Sequence, residues 1–114
     1  MKGSEKQIKW AEAIKNKMQP NFEDLQSKVN GNAPANKAIN YINNLDNATF
    51  WIDNRSNTPT DMLRKLCGHG LKIRGNGYSH VAKIDQVTGK ITITWDEIIS
   101  DGKGGYKETK IKEV

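Results

Sequence analysis

The first part of the chain repeats its apolar residues with the period of an α-helix. Ser4 and Gln7 form the capping-box pattern of a helix start, in which each side chain bonds the backbone N–H of the other residue. Apolar side chains then recur every three or four residues, at Ile8, Ala11, Ile14 and Met18. This pattern predicts a helix that ends before Pro20, because the residue ahead of a proline is disfavoured in the α conformation.

Signals of further short helices continue to position 67. Asn21 and Thr58 are good helix caps, and Pro59 suits the first turn of a helix. Ten of the twelve Asn residues lie between positions 21 and 57, and Asn favours caps over helix interiors. We therefore expect several short helices rather than one long helix. They are predicted at about 21–29, 34–45, 48–53 and 58–67.

From position 71 the apolar period changes from helical to alternating. Ile91, Ile93 and Trp95 alternate with threonines, which is typical of a strand with one buried face. Gly-rich turns at 75–77, 88–89 and 101–105 separate this strand from its neighbours. Helices followed by strands predict an α+β fold, in which an N-terminal bundle of short helices packs on a C-terminal three- to four-stranded antiparallel β-meander. We expect one domain over residues 1–114, helical over about 4–67 and β over about 71–114.

The composition narrows the class of protein. The chain has 114 residues and one Cys, so no disulfide forms within it. It has no apolar run long enough to cross a membrane and no apolar signal region at its start. We therefore expect a small cytoplasmic protein with no membrane partner. No phosphate-binding G-x-x-x-x-G-K-[ST] motif occurs, and no cofactor is predicted.

The distribution of charge is more informative than its total. Lys and Arg number 18 against 13 Asp and Glu, but Lys, Asn and Ile make up about a third of the chain, as an AT-rich genome alone would produce. Residues 62–84, here called the basic segment, hold five basic residues and no acidic one. The remaining chain is balanced, so the whole net charge of +5 lies in the basic segment. Such asymmetry points to a polyanionic partner.

The basic segment supplies the candidate binding residues. Glycines between Gly68 and Gly77 let backbone N–H groups approach a phosphate. Arg74 can fork onto a phosphate or a guanine edge, Lys72 can act as a point charge, and Tyr78 offers a stacking face for an unpaired base. The predicted polyanion-binding residues are Arg64, Lys65, Lys72, Arg74, Tyr78 and Lys83. The competing interpretation is a helix end followed by a tight hairpin, with the cations in solvent.

A second candidate surface involves the aromatic residues. Trp10 and Trp95 fit core faces, whereas Phe50, Trp51 and Ile52 point in different directions on any regular element. We expect at least one of them to be exposed, unless they are covered from two sides. The predicted partner-binding residues are Phe50, Trp51 and Arg55. Arg55 is also expected to close a local turn with Asp53.

Catalytic and metal-binding patterns are weak. Cys67, His69 and His80 match no standard zinc spacing, so no metal is predicted. Cys67 with a histidine has no orienting third group for nucleophilic catalysis. Asp96-Glu97 at a strand end is more typical of a cap or a surface charge than of a general base. We expect a protein that is not an enzyme.

Two stretches carry a family resemblance. Gly3-Ser4-Glu5-Lys6-Gln7 with Trp10-Ala11-Glu12 and Ile14 resembles a G-S-E-K-Q-x-x-W-A-E-x-I helix of uncharacterised proteins from bacteriophages and mobile elements of low-GC Gram-positive bacteria. Ala48 with Phe50-Trp51-Ile52-Asp53-Asn54-Arg55 resembles a second block, with an FWIDNR core, of the same proteins. The resemblance covers about 20 residues, leaves out the half from residue 62 onward, and implies a bacterial-cell setting without a catalytic motif.

Three functions follow as hypotheses. The first is a non-enzymatic accessory protein that binds nucleic acid or a nucleic-acid-handling protein through the basic segment. The second is an inhibitor of a host defence nuclease, in the manner of anti-CRISPR proteins, which would dock this basic chain on an acidic patch or a bound guide RNA. The third is a small hydrolase or nuclease that uses His69 or His80.

Overall fold

The part of the chain that the structure describes folds as four helices followed by a four-stranded sheet. The computed structural model describes residues 1–75 and 78–114, with Tyr78 described by its backbone alone. The elements are α1 (Glu5–Lys28), α2 (Ala33–Asn43), α3 (Ala48–Asp53), α4 (Pro59–Cys67), β1 (Leu71–Gly75), β2 (Tyr78–Ile84), β3 (Ile91–Ile99) and β4 (Tyr106–Glu113). The predicted α+β class, with helices first and an antiparallel meander second, is confirmed. None of the described helices combines the length and the apolar composition that a membrane span requires.

α1 continues through Pro20, so the predicted break there is wrong. A proline inside a helix removes one backbone hydrogen bond and costs roughly 3 kcal/mol. Met18 before the proline and Phe22 and Leu25 after it are all buried on the same face of α1. Burial of each large apolar side chain contributes about 1.5–3 kcal/mol, and only the unbroken helix buries all of them. Packing on both sides of Pro20 therefore outweighs the lost bond.

The helix starts predicted at Ser4 and Thr58 are confirmed by their caps, whereas the start predicted at Asn21 is wrong because Asn21 lies inside α1. The Ser4 hydroxyl accepts from the N–H of Gln7 (3.2 Å), and the Gln7 side chain accepts from the N–H of Ser4 (2.9 Å). Thr58 and Asp61 make the same reciprocal pair at the start of α4. These local bonds satisfy N–H groups that a helix start leaves without partners.

Trp51 lies at the centre of the helical layer. It is fully buried, and its ring meets Phe22 and Phe50 edge to face, with ring centroids 6.1 and 5.2 Å apart. Its indole N–H donates to the carbonyl of Leu45 (2.8 Å). Trp10, in contrast, is 50% exposed on α1, so its predicted place in the core is wrong.

The sheet is a simple antiparallel meander in the order β1-β2-β3-β4. Leu71 pairs with Ala82, Ala82 with Ile93, and these residues point toward the helices. This side of the sheet is called the inner face. The opposite side, called the outer face, carries Lys72, Arg74, Ser79, Val81, Lys83, Thr92 and Thr94, which are exposed or partly buried.

α3 covers the edge of the sheet formed by β1. The hydroxyl of Thr49 donates to the backbone carbonyl of Arg74, and the Arg74 side chain reaches Asp53 at the end of α3. An uncovered sheet edge presents unpaired backbone groups to solvent and to other chains. The Thr49 bond satisfies one such group and fixes α3 against β1.

Candidate functional site

Lys72 and Lys83 lie next to each other on the outer face. Lys72 pairs with Val81 across β1 and β2, and Lys83 is two residues further along β2. Such diagonal neighbours lie about 7–8 Å apart on one face of a sheet. Both side chains are exposed, and within residues 1–75 and 78–114 neither makes an ion pair. They form a pair of unneutralised cations on a face that the helices do not cover.

Gly70 brings the chain close to this pair. It has a φ of +117°, and a Cβ atom added there would lie 2.2 Å from the Val81 side chain. The same added atom would lie 3.5 Å from the Lys83 side chain. A residue larger than glycine would therefore collide with Val81, whereas its distance to Lys83 would be an ordinary van der Waals contact.

Several carboxylates near the two lysines have other partners. Asp85, two residues after Lys83, accepts from the N–H groups of Val87 (2.8 Å) and Thr88 (3.1 Å) in the turn after β2. Asp96, on the same face of β3, contacts the ammonium group of Lys107 (3.7 Å) and accepts from the hydroxyl of Thr109 (2.9 Å). Glu113 on β4 is separated from Lys83 by Thr92, which pairs with both. At about 4.8 Å between strands, the backbones of Glu113 and Lys83 lie roughly 10 Å apart across the sheet. The outer face over β1 and β2 is therefore positive.

Arg74 is engaged by an acidic partner that the sequence did not suggest. Its Nε donates to Oδ2 of Asp53 (3.0 Å) and its Nη2 to Oδ1 (2.7 Å). These bonds and the charge of Asp53 raise the pKa of Arg74 above its ordinary value. The expected turn between Arg55 and Asp53 is wrong, because Asp53 faces Arg74 instead. Arg74 adds no unneutralised charge to the outer face.

The remaining residues of the basic segment do not join this cluster. Arg64 and Lys65 are exposed on α4, which packs on the inner-face side of β1 and β2. The backbone of Tyr78 pairs with Gly75, and its predicted stacking role lies outside the described residues, as do Asn76 and Gly77 of the turn. The basic segment is therefore one stretch of sequence but not one surface.

The glycines after α4 do not form the predicted phosphate-binding loop. The N–H of Gly68 donates to the carbonyl of Lys65 (3.2 Å), and the N–H of Gly70 donates to the same carbonyl (2.8 Å). Both N–H groups are thus hydrogen-bonded to the last turn of α4 and do not point at a ligand. For these two residues the competing interpretation, a helix end, describes the structure.

The predicted aromatic partner surface is wrong for two of its three residues. Phe50 and Trp51 are fully buried, because α1 and the sheet cover α3 from two sides. Arg55 is exposed, and its guanidinium carbon lies 5.5 Å from the centre of the Trp10 ring. Trp10 was missed as a surface residue; the signal for it is its position at the border of the apolar stripe of α1.

A broad concavity lies along β2 and β3. It has a volume of about 960 Å³, and its lining includes His80, Ile93, Trp95, Glu97 and Lys112. Trp95, predicted in the core, is only partly buried there, and its indole N–H donates to Glu97 (3.0 Å). Burial lowers the pKa of His80, which favours its neutral form.

Cys67, the candidate nucleophile, is a free thiol that lies partly buried at the end of α4. Burial raises the pKa of Cys67, which disfavours the thiolate that a nucleophile needs. Among residues 1–75 and 78–114 no three His, Cys, Asp or Glu side chains come together as metal ligands.

Comparison with protein-family models, with curated proteins and with solved structures finds no match to this chain.

Proposed function

We propose that this chain is a non-enzymatic nucleic-acid-binding protein, which holds the phosphate backbone across the outer face of its sheet. The observation that carries the proposal is the Lys72–Lys83 pair, two adjacent exposed ammonium groups without a carboxylate partner. A phosphate backbone releases condensed counterions when such groups bind it, and this supplies the affinity.

The surroundings of the pair fit a backbone rather than a base edge. The hydroxyls of Ser79, Thr92 and Thr94 lie on the same face and can donate to phosphate oxygens. Contacts of this kind fix the position of a nucleic acid without reading its sequence. We therefore expect binding with little sequence preference.

The setting follows from the resemblance of the helix at 3–14 and of the block at 48–55. The resemblance implies the cytoplasm of a bacterial host, where nucleic acid and the proteins that process it are present. An accessory role there requires no catalytic group of this chain. A nuclease inhibitor would need a protein-binding surface other than Phe50 and Trp51, since both are buried.

Fluorescence anisotropy with labelled oligonucleotides of about 20 nucleotides tests the proposal. The test variant is Lys72→Glu/Lys83→Glu, and the matched control is Lys6→Glu/Lys9→Glu, which changes the net charge equally on α1. Arg74 is left intact, because its replacement would also release Asp53. Circular dichroism checks the fold of each variant.

We expect affinity for single- and double-stranded DNA and for RNA to fall at least about tenfold in the outer-face variant at roughly 0.1 M salt. The α1 control should lose much less. Equal losses in both variants would mean that only total charge matters, and absent binding at about 50 mM salt would refute the proposal.

A further inference from the structure

Trp10 and Arg55 form an exposed pair on the helical side of the molecule. Trp10 lies on α1 and is 50% exposed, and Arg55 follows the end of α3. The guanidinium carbon of Arg55 lies 5.5 Å from the centre of the Trp10 ring, within the range of a cation–π contact. Trp and Arg are the residues most enriched at the energetic centres of protein interfaces.

Arg55 is held in place but not neutralised. Its Nη1 donates to the carbonyl of Ile52 (2.8 Å), which fixes the guanidinium against the Trp10 ring. The neighbouring Asp53 is engaged with Arg74, and in the described part of the chain Arg55 makes no ion pair. A guanidinium has five N–H donors, so several remain to bind a carboxylate. Because the side chain is already ordered, binding costs less conformational entropy.

A groove of about 470 Å³ lies beside Arg55, between α1 and the segment that leads into α4. Its apolar lining consists of Ile14, which is partly buried, and of Met18 and Pro59, which are buried. Lys17 and Arg55 supply two positive charges, and none of the lining residues is acidic. The nearby carboxylate of Asp61 accepts from the N–H of Thr58 in the capping box of α4.

We propose that the groove beside Arg55, together with the adjoining Trp10 ring, is a docking site for an acidic segment of a partner protein that also carries an apolar side chain. The two cations of the groove are complementary to carboxylates, and the exposed ring of Trp10 with the partly exposed Ile14 is complementary to an aliphatic or aromatic side chain. A phosphate backbone would match the charge but leave the apolar surface unfilled. The groove involves none of the outer-face residues, so it stands or falls independently of nucleic-acid binding.

A peptide selection tests this site on the full chain. A displayed library of random peptides about 12 residues long is selected against the wild-type protein, and enriched peptides are measured by fluorescence anisotropy. We expect the enriched peptides to combine Asp or Glu with Leu, Ile, Met or Phe. Arg55→Gln and Trp10→Ala should each weaken their binding about tenfold or more.

Two controls separate the groove from general charge. Arg64→Gln removes an exposed arginine from α4, and Lys72→Glu/Lys83→Glu reverses the charge on the outer face; neither should change peptide affinity more than about twofold. Arg55→Gln is the decisive variant, because Trp10→Ala also removes packing contacts of the ring. Thermal unfolding measures the stability of both variants.

Three outcomes would overturn the docking site. In the first, the selected peptides are not enriched in acidic and apolar residues. In the second, an enriched peptide binds Arg55→Gln as tightly as it binds the wild type. In the third, an oligonucleotide displaces the peptide, and binding of that oligonucleotide is lost in Arg55→Gln. The last result would assign the groove to nucleic acid.

Discussion

Arg74 on β1 and Asp53 at the end of α3 form a two-pronged ion pair, with N–O distances of 2.7 and 3.0 Å. The pair has consequences for both candidate surfaces. It neutralises one of the three cations on the outer face over β1 and β2, and it engages the carboxylate two residues before Arg55. Because Asp53 pairs with Arg74, the positive charge of Arg74 is neutralised while, among the described residues, that of Arg55 is not.

Replacement of Asp53 by Asn should strengthen nucleic-acid binding. The substitution leaves Arg74 unneutralised beside Lys72, and one added phosphate contact increases affinity by about five- to tenfold near 0.1 M salt. Anisotropy titrations with duplex DNA measure the change. The matched control is Asp24→Asn, which removes one carboxylate from the exposed Lys28–Asp24 pair on α1 (3.0 Å) and alters net charge equally. An equal gain in both variants would contradict a local role for Arg74.

Truncation of Trp51 should nearly unfold the protein. Trp51→Ala removes a fully buried ring and its contacts with Phe22 and Phe50, and such losses cost about 3–5 kcal/mol. Trp51→Phe keeps most of the packing but leaves the carbonyl of Leu45 without its donor, at a cost of about 1–3 kcal/mol. Urea unfolding gives both values. Trp10→Ala is the comparison, and a loss there as large as for Trp51→Ala would contradict the assignment of Trp51 to the core.

Replacement of Pro20 by Ala should stabilise the protein. Alanine restores the backbone N–H inside α1, and Pro20 is exposed, so little packing is lost. We expect the free energy of unfolding to rise by about 1–3 kcal/mol in urea titrations. Pro34→Ala, at the first turn of α2, should instead be neutral or slightly destabilising, because proline suits that position. A loss of stability in Pro20→Ala would mean that α1 is bent at the proline in a way that its packing needs.

Replacement of Gly70 by Ala should destabilise the sheet. The added Cβ would meet Val81 at 2.2 Å, and the φ of +117° strains any residue with a side chain, so we expect a loss of about 1–3 kcal/mol. Gly102→Ala shares a positive φ of +76° but has no atom within 4 Å, and it should cost less. Thermal unfolding compares the two. The double variant Gly70→Ala/Val81→Ala should recover the part that is due to the collision, and a complete absence of recovery would place the cost in the backbone alone.

The fold class could be predicted because its signals are local. The capping pairs Ser4–Gln7 and Thr58–Asp61 and the alternation of Ile91, Ile93 and Trp95 each span a few residues. The helix break predicted at Pro20 is wrong because the outcome there depends on long-range packing rather than on a local signal. A local cost of proline was outweighed by buried contacts of Met18 and Phe22 with distant parts of the chain.

The candidate surfaces could be predicted only in part. Alternation along the strands places Lys72 and Lys83 on the solvent face, as their sequence pattern suggested. The partner of Arg74 lies 21 residues away, and no short-range pattern identifies it. The burial of Trp51 and the exposure of Trp10 likewise depend on how α1 crosses α3. α3 has only six residues, so its apolar pattern is too short to predict this packing.

The salt dependence of duplex-DNA binding tests the central claim most directly. For duplex DNA the logarithm of the binding constant falls with the logarithm of salt concentration by about 0.9 for each neutralised phosphate. If Lys72 and Lys83 both contact phosphates, the slope for Lys72→Gln/Lys83→Gln should be shallower than that of the wild type by about 1.8. The Lys6→Gln/Lys9→Gln control should keep the wild-type slope. An unchanged slope in the outer-face variant would show that the two lysines do not contact the nucleic acid.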